Sequence, residues 1–172
     1  VDEYPDDYYV TDDLTDHAVA QIKSLRAHDA EKPFFLYFAH IAMHGPHQVK
    51  ESDLEKYRGK YADGWDAVRQ RRFDRQVEEG LFDEGTPIAE RNTEPGYDAP
   101  PWDSLEPEEQ QRFARYQEVY AAMVERLDWN VGRVVEYLRQ QGELDNTFVL
   151  FMSDNGAEGA LLEAFPRFGP DL

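Results

Sequence analysis

Residues 148–159 read Phe-Val-Leu-Phe-Met-Ser-Asp-Asn-Gly-Ala-Glu-Gly, and this stretch decides the fold. Its first five residues, 148–152, are all apolar, with neither the alternation of a half-exposed strand nor the period of a helix. Such a run predicts a β-strand buried on both faces, as in a parallel sheet between helices. Residues 153–156 then change at once to polar side chains and a glycine. Polar groups therefore follow the end of a buried strand, which is where open α/β sheets bind ligands.

Asp154 and Asn155 are the chemically informative pair in this stretch. A carboxylate and a carboxamide side by side offer two hard oxygen donors, which suit Ca²⁺ or Mg²⁺. The alternative is that Asp-Asn-Gly merely forms a β-hairpin turn. A hairpin needs a second strand, however, and residues 157–164 contain helix formers and no β-branched residue. The pattern favours a functional strand end.

A second apolar run precedes a cluster of histidines. Lys32-Pro33 leads into Phe34-Phe-Leu-Tyr-Phe-Ala39, which predicts another buried strand. His40, His44 and His47 come directly after it, at the expected edge of the sheet. Two parallel strands joined by a right-handed crossover end on the same edge. We therefore expect the histidines and the Asp154–Asn155 pair to face one pocket.

Helical patterns fill most of the chain between these two runs. Thr11 is predicted to cap a helix with acidic residues in its first turn and with Leu14, Ala18, Ile22 and Leu25 on its apolar face. A helix is predicted near residues 65–79, ended by Gly80, and a loop or lid over residues 85–102. A long helix is predicted from Ser104 to Gly142, with an apolar stripe at helical spacing: Phe113, Tyr116, Tyr120, Met123, Leu127, Val131, Val134 and Leu138.

Composition narrows the class of partner. The 172 residues carry 36 acidic and 18 basic side chains, a formal net charge of −18. Such a surface repels nucleic acid and anionic membranes, so neither is an expected partner. The absence of cysteine excludes disulfides, thiolate metal sites and a cysteine nucleophile within these residues. No apolar stretch approaches the length of a transmembrane helix.

Other candidate groups have simpler interpretations. The spacing His40-x₃-His44-x₂-His47 permits a zinc site, but the usual companion carboxylate or cysteine pattern is missing. His44 is the histidine that we expect to contact substrate or to protonate a leaving group, the alternative being a plain surface residue. Asp12-Asp13 resembles a paired-carboxylate site, yet its place in a first helical turn favours helix stabilisation.

Four segments, in this order, resemble one known family, the bacterial arylsulfatases. They are Lys-Pro-Phe-Phe-Leu-Tyr-Phe-Ala at 32–39, Ala-Met-His-Gly-Pro at 42–46, Tyr-Ala-Ala-Met-Val-Glu-Arg-Leu-Asp-Trp-Asn-Val-Gly-Arg-Val at 120–134, and the stretch that begins at Asn146. The resemblance extends from about Thr11 to Leu172 and is weakest between residues 60 and 103.

The resemblance implies an α/β fold of the alkaline-phosphatase type, a sandwich with a mostly parallel central sheet flanked by helices. Residues 1–172 would be an internal part of the catalytic domain, with 48–103 as an insertion or lid. It implies hydrolysis of small-molecule sulfate esters by a formylglycine nucleophile with the help of Ca²⁺. Asp154 and Asn155 would be two calcium ligands, and His44 would contact the sulfate or assist the leaving group.

Some family features are altered or missing. Met43 stands where the family usually has proline, and His47 where an apolar residue is common. No C/S-x-P-x-R motif occurs in residues 1–172, so the nucleophile is expected outside them, and these residues alone are expected to be inactive. The alternatives are a phospho- or phosphonate-monoester hydrolase of the same superfamily, or an inactive sulfatase-like binding protein. An asparagine at 155 favours Ca²⁺ over Zn²⁺, and hence the sulfatase.

Overall fold

The computed structural model describes residues 4–92 and 99–156. These residues form two compact units: unit 1 covers 4–56 and 119–151, and unit 2 covers 57–92, 99–118 and 152–156. The helices in the described ranges are α1 (Val10–His28), α2 (Glu51–Leu54), α3 (Gly64–Glu78) and α4 (Pro107–Gln140), with short 3-10 turns at Glu55–Tyr57, Trp102–Ser104 and Leu144–Asn146. Each helix in these ranges is too short or too polar to span a lipid bilayer.

Helix α1 forms where it was predicted, but its first turn differs in detail. Tyr9 has extended backbone and occupies the N-cap position, so the prediction that Thr11 caps the helix is wrong. Thr11 is the second residue of the helix and is buried, and the hydroxyl of Thr15 donates a hydrogen bond to its carbonyl oxygen (2.9 Å). The buried face continues to Ile22, which is 1% exposed, whereas Leu25 is exposed. The buried face is thus partly polar at its start.

Helix α4 confirms the long predicted helix. Proline opens it at position 107, where the missing N–H costs no hydrogen bond. Met123, Leu127 and Leu138 of the predicted stripe are buried. Gly142 adopts a left-handed φ of 73° just beyond the last turn, a conformation that glycine tolerates better than other residues. Helix α3 also forms as predicted and is followed by Gly80 with the same left-handed φ.

Hydrogen bonds between charged side chains and one cation–π contact connect α1 to α4 and to the turn after it within unit 1. In sequence order along α1 they are Asp12–Arg126, Asp16–Arg133, Lys23–Tyr137 and Arg26–Glu143. Residue numbers rise together along both partners, so the two helices run in the same direction. Each helix is followed within a few residues by one of the two apolar runs, 34–39 and 148–152. Parallel helices followed by apolar segments are the arrangement of repeated α/β units.

The two apolar runs do not form the predicted strands in this structure. In the described ranges no residue is in a strand, and Phe35 and Phe148 are 90% and 89% exposed. The prediction that both runs are buried on both faces is therefore wrong for these residues as they stand here. A strand needs hydrogen-bonded neighbours and covering side chains, and no described residue pairs with either run. The helices expected of an α/β sandwich are present, but its mostly parallel central sheet is not confirmed.

Arg26 links the starts of the two apolar runs. Its Nη1 donates to two backbone carbonyls in the turn after α1, at 2.8 and 2.9 Å. Its Nη2 donates to the carboxylate of Glu143, just after α4, at 2.5 Å. The guanidinium also lies over the ring of Phe34, 4.8 Å from the centroid. One side chain therefore holds together the turns that lead into residues 34–39 and 148–152.

Candidate functional site

His44 lies in a tight turn at the end of the first apolar run. Its backbone N–H donates to the carbonyl of Ile41 (3.0 Å), and its ring is exposed. The ring Nδ1 lies 2.8 Å from the carbonyl oxygen of Gly45. Because a carbonyl oxygen only accepts, Nδ1 must carry the proton of that hydrogen bond. This fixes the tautomer and leaves Nε2 as the nitrogen available to a substrate.

The other two histidines of the cluster have different surroundings. His40 is half-buried against the ring of Phe38 (centroids 4.0 Å apart), and neither ring nitrogen has a hydrogen-bond partner. Burial lowers the pKa of His40, which keeps it neutral. His47 is exposed and meets the ring of Tyr120 edge-on. No three His, Cys, Asp or Glu side chains of residues 4–92 and 99–156 come together as a metal-binding group.

Asp154 and Asn155 lie in a turn formed by local hydrogen bonds. The hydroxyl of Ser153 donates to the carbonyl oxygen of Asn155 (2.6 Å), and the Asn155 side-chain N–H₂ donates to the carbonyl of Gly156 (2.6 Å). The Asn155 Oδ1 is therefore the free end of its amide. Asp154 is exposed, and its carboxylate forms no ion pair within the described part of the chain. Two hard oxygen donors stand next to each other, a donor set that fits Ca²⁺.

The predicted common pocket of His44 and the Asp154–Asn155 pair stays a prediction. His44 belongs to unit 1, whereas Asp154 and Asn155 belong to unit 2. The side chains of His44, Asp154 and Asn155 are all exposed. The role of His44 at the leaving group and the roles of Asp154 and Asn155 as metal ligands also stay predictions.

A partly buried polar centre around Asp12 is the feature that the sequence analysis did not predict. Both carboxylate oxygens accept hydrogen bonds from Arg126 of α4, at 2.7 and 2.5 Å. The side-chain amide of Asn130 donates to the same carboxylate (2.8 Å), and the Lys50 ammonium lies 2.8 Å from it. Asn130 is fully buried, and the Arg126 guanidinium stacks on Trp129, 4.1 Å from the ring centroid.

The environment of Asp12 strongly favours its charged form. Burial alone would raise the pKa of this carboxyl, but the hydrogen bonds from Arg126, Asn130 and Lys50 outweigh burial and hold the pKa well below its usual range. The same contact raises the pKa of Arg126. The Asp12 carboxylate is thus the common partner of Arg126, Asn130 and Lys50. Asp12 is a structural centre that joins α1 to α4, and it is not a free metal ligand.

Comparison with known proteins gives a consistent result. The model of the Sulfatase family matches residues 2–163. An uncharacterized sulfatase of Schizosaccharomyces pombe is 47% identical over 145 residues, which cover 84% of this chain and 26% of that protein. An arylsulfatase of Klebsiella aerogenes is 31% identical over 167 residues, 95% of this chain and 34% of that protein. An arylsulfatase of Volvox carteri is 31% identical over 153 residues, 87% and 23% of the two chains. The chain thus spans about a quarter to a third of the length of these relatives.

Proposed function

The chain belongs to the sulfatase family, and from that membership we propose that the full-length protein is a hydrolase of small-molecule sulfate esters. The supporting observation is that the family match includes both candidate segments, the turn at His44 and the turn at Asp154–Asn155. Each turn leaves the expected functional atoms accessible. These atoms are the Nε2 of His44, the carboxylate of Asp154 and the Oδ1 of Asn155.

Asp154 and Asn155 act as two ligands of a calcium ion. One contributes a negative charge and the other a neutral amide oxygen, both hard donors. The amide of Asn155 is oriented by its own hydrogen bond to the next carbonyl, which points its oxygen away from the backbone. Calcium, when bound, polarises the sulfate oxygens and offsets the charge that develops on them. The nucleophile is a formylglycine supplied by a segment outside residues 1–172.

His44 acts on the leaving group. Its Nδ1 proton is committed to the carbonyl of Gly45. When the ring is protonated, Nε2 holds the second proton and can donate it to the oxygen of the departing alcohol or phenol. The contact with Gly45 fixes the ring so that the donating nitrogen keeps one direction. His44 therefore serves as a general acid, and its exposure gives it access to the substrate oxygen.

The test is a comparison of ester classes with purified full-length protein. We expect release of 4-nitrophenol from 4-nitrophenyl sulfate in the presence of Ca²⁺, with at least a hundredfold lower turnover of 4-nitrophenyl phosphate and of a 4-nitrophenyl phosphonate. Faster turnover of either phosphorus ester would identify the protein as a phospho- or phosphonate-ester hydrolase. Binding of the esters without turnover of any of them would identify an inactive sulfatase-like binding protein.

A further inference from the structure

A cavity of about 480 Å³ lies within unit 2, and its lining includes none of the residues assigned above to chemistry. Aromatic rings form one part of its wall: Trp65 meets Trp102 edge-on at 4.9 Å and Phe113 at 5.4 Å between centroids. Arginines form the other part, with Arg69 and Arg72 on the same face of α3 as Trp65. A volume of this size is typical of a site for a small organic molecule.

The aromatic wall is held in place before any ligand arrives. Gly64 has a left-handed φ of 82°, and the ring of Trp102 packs so closely on it that a Cβ there would lie 2.0 Å from the ring. Asp66 accepts a hydrogen bond from the backbone N–H of Trp102 (2.9 Å), and the indole N–H of Trp65 donates to the carbonyl of Pro100 (3.0 Å). Trp102 is consequently 6% exposed. A rigid wall reduces the entropy that a ligand would lose on binding.

The charges of the lining favour an anion. Among the described residues, three arginines and two carboxylates line the cavity, and Asp66 accepts a direct hydrogen bond from Arg91. Arg69 donates to the backbone carbonyl of Ala89, a neutral partner, and Arg72 forms no ion pair within the described residues. The described lining residues therefore carry one net positive charge, in a chain whose net charge is −18. Guanidinium groups bind sulfonate, sulfate and carboxylate groups through paired N–H donors.

We propose that this cavity binds a small organic anion that carries an aromatic ring. The ring packs against Trp65 and Phe113, and the anionic group lies against Arg69 and Arg72. Aromatic packing selects planar rings, and the guanidinium groups select the negative charge. None of the residues that line this cavity belongs to the proposed catalytic or calcium-binding set, so ligand binding there can be measured without sulfatase activity.

The test uses 2-naphthalenesulfonate and isothermal titration calorimetry with the full-length protein. This probe has a C–S bond and no sulfate ester to hydrolyse, so binding is measured without turnover. We expect it to bind at least tenfold more tightly than 2-naphthol, which lacks the charge, and than inorganic sulfate, which lacks the ring. Equal affinity for naphthol, or no binding of the sulfonate at millimolar concentration, would overturn the proposal.

Binding measurements on substituted proteins test whether the probe occupies this cavity. Arg72→Gln is expected to weaken binding about five- to tenfold, as loss of one partly exposed charge contact implies. Glu90→Gln is expected to strengthen binding, because it removes the opposing charge. Arg75→Gln is the matched control on the same helix: Arg75 pairs with Glu79 and does not line the cavity. Equal effects of the substitutions at 72 and 75, with unchanged melting temperatures, would show that the probe binds elsewhere.

Discussion

Removal of the Asp12 carboxylate tests whether the contact between α1 and α4 depends on one charged centre. In Asp12→Ala, Arg126 loses two hydrogen bonds and Asn130 loses one, while both side chains stay largely buried. Lys50 is more exposed and can be rehydrated. Hydrogen bonds to charged groups contribute about 1.5–3 kcal/mol each, but they are not additive within one network. We therefore expect the free energy of unfolding to fall by about 3 kcal/mol.

Asp13→Ala is the matched control for this substitution. Asp13 lies in the same first turn of α1, so its removal equally changes the charge near the helix N-terminus. Its side chain is 42% exposed and, among the described residues, its polar partners are Tyr8 and His17. Its loss should change stability by about 0.5 kcal/mol or less. Denaturant unfolding at neutral pH, followed by circular dichroism, measures both variants, and equal destabilisation by the two would refute a special role for Asp12.

The pH dependence of the difference in unfolding free energy between the native protein and Asp12→Ala gives an independent check. The folded pKa of Asp12 is lower than its value in the unfolded chain, which is about 3.9. The contribution of Asp12 is therefore complete above that unfolded value and is lost as the pH falls towards the folded pKa. The stability gap between the native protein and Asp12→Ala should be constant from pH 5 to 7 and narrow below pH 4. A gap that widens in acid would contradict the assigned direction.

Two further predictions concern unit 2 and the proposed chemistry. Gly64→Ala should cost at least about 2 kcal/mol more than Gly80→Ala in denaturant unfolding, because both glycines have left-handed φ but only the Cβ at 64 would overlap Trp102; equal costs would refute the close packing. His44→Gln should lower turnover of phenyl sulfate by roughly a hundredfold or more, and that of 4-nitrophenyl sulfate much less, since the better leaving group needs less protonation. His47→Gln is its control, and a loss independent of the leaving group would exclude His44 as the general acid.

The helices could be predicted from the sequence because their signals are local. Apolar spacing, acidic first turns and a following glycine define α3 and α4 without reference to the rest of the chain. The prediction for the N-terminus of α1 is wrong in one detail, because Tyr9 occupies the N-cap position and Thr11 is a buried residue of the first turn. At this end, the burial of Thr11 outweighs the capping preference of threonine.

The strands could not be predicted correctly for this structure because a strand depends on its neighbours. The apolar character of 34–39 and 148–152 indicates what these runs would bury, but the described residues supply no partner strand. In the longer relatives, about two thirds or more of the protein lies beyond the matched part.

The candidate site likewise combines residues that local sequence signals identify with contacts that depend on distant parts of the chain. Residue types and spacing were sufficient to select His44, Asp154 and Asn155 as candidates. The Asp12 centre could not be recognised in the same way, because Asp12 and Arg126 are far apart in sequence and only folding brings them together. The polar residue Asn130, which lies on the buried side of α4, is the one signal of this centre within the sequence.

Calcium affinity of the full-length Asp154→Asn variant tests the central claim most directly. Asp145→Asn is the control, since Asp145 is equally exposed and lies a few residues earlier in the chain. Loss of one anionic ligand should weaken Ca²⁺ binding on the order of a hundredfold, measured by calorimetric titration of metal-free protein, and the control should bind normally. Identical calcium affinities of the native protein, Asp154→Asn and Asp145→Asn would contradict the assignment of Asp154 to the calcium site.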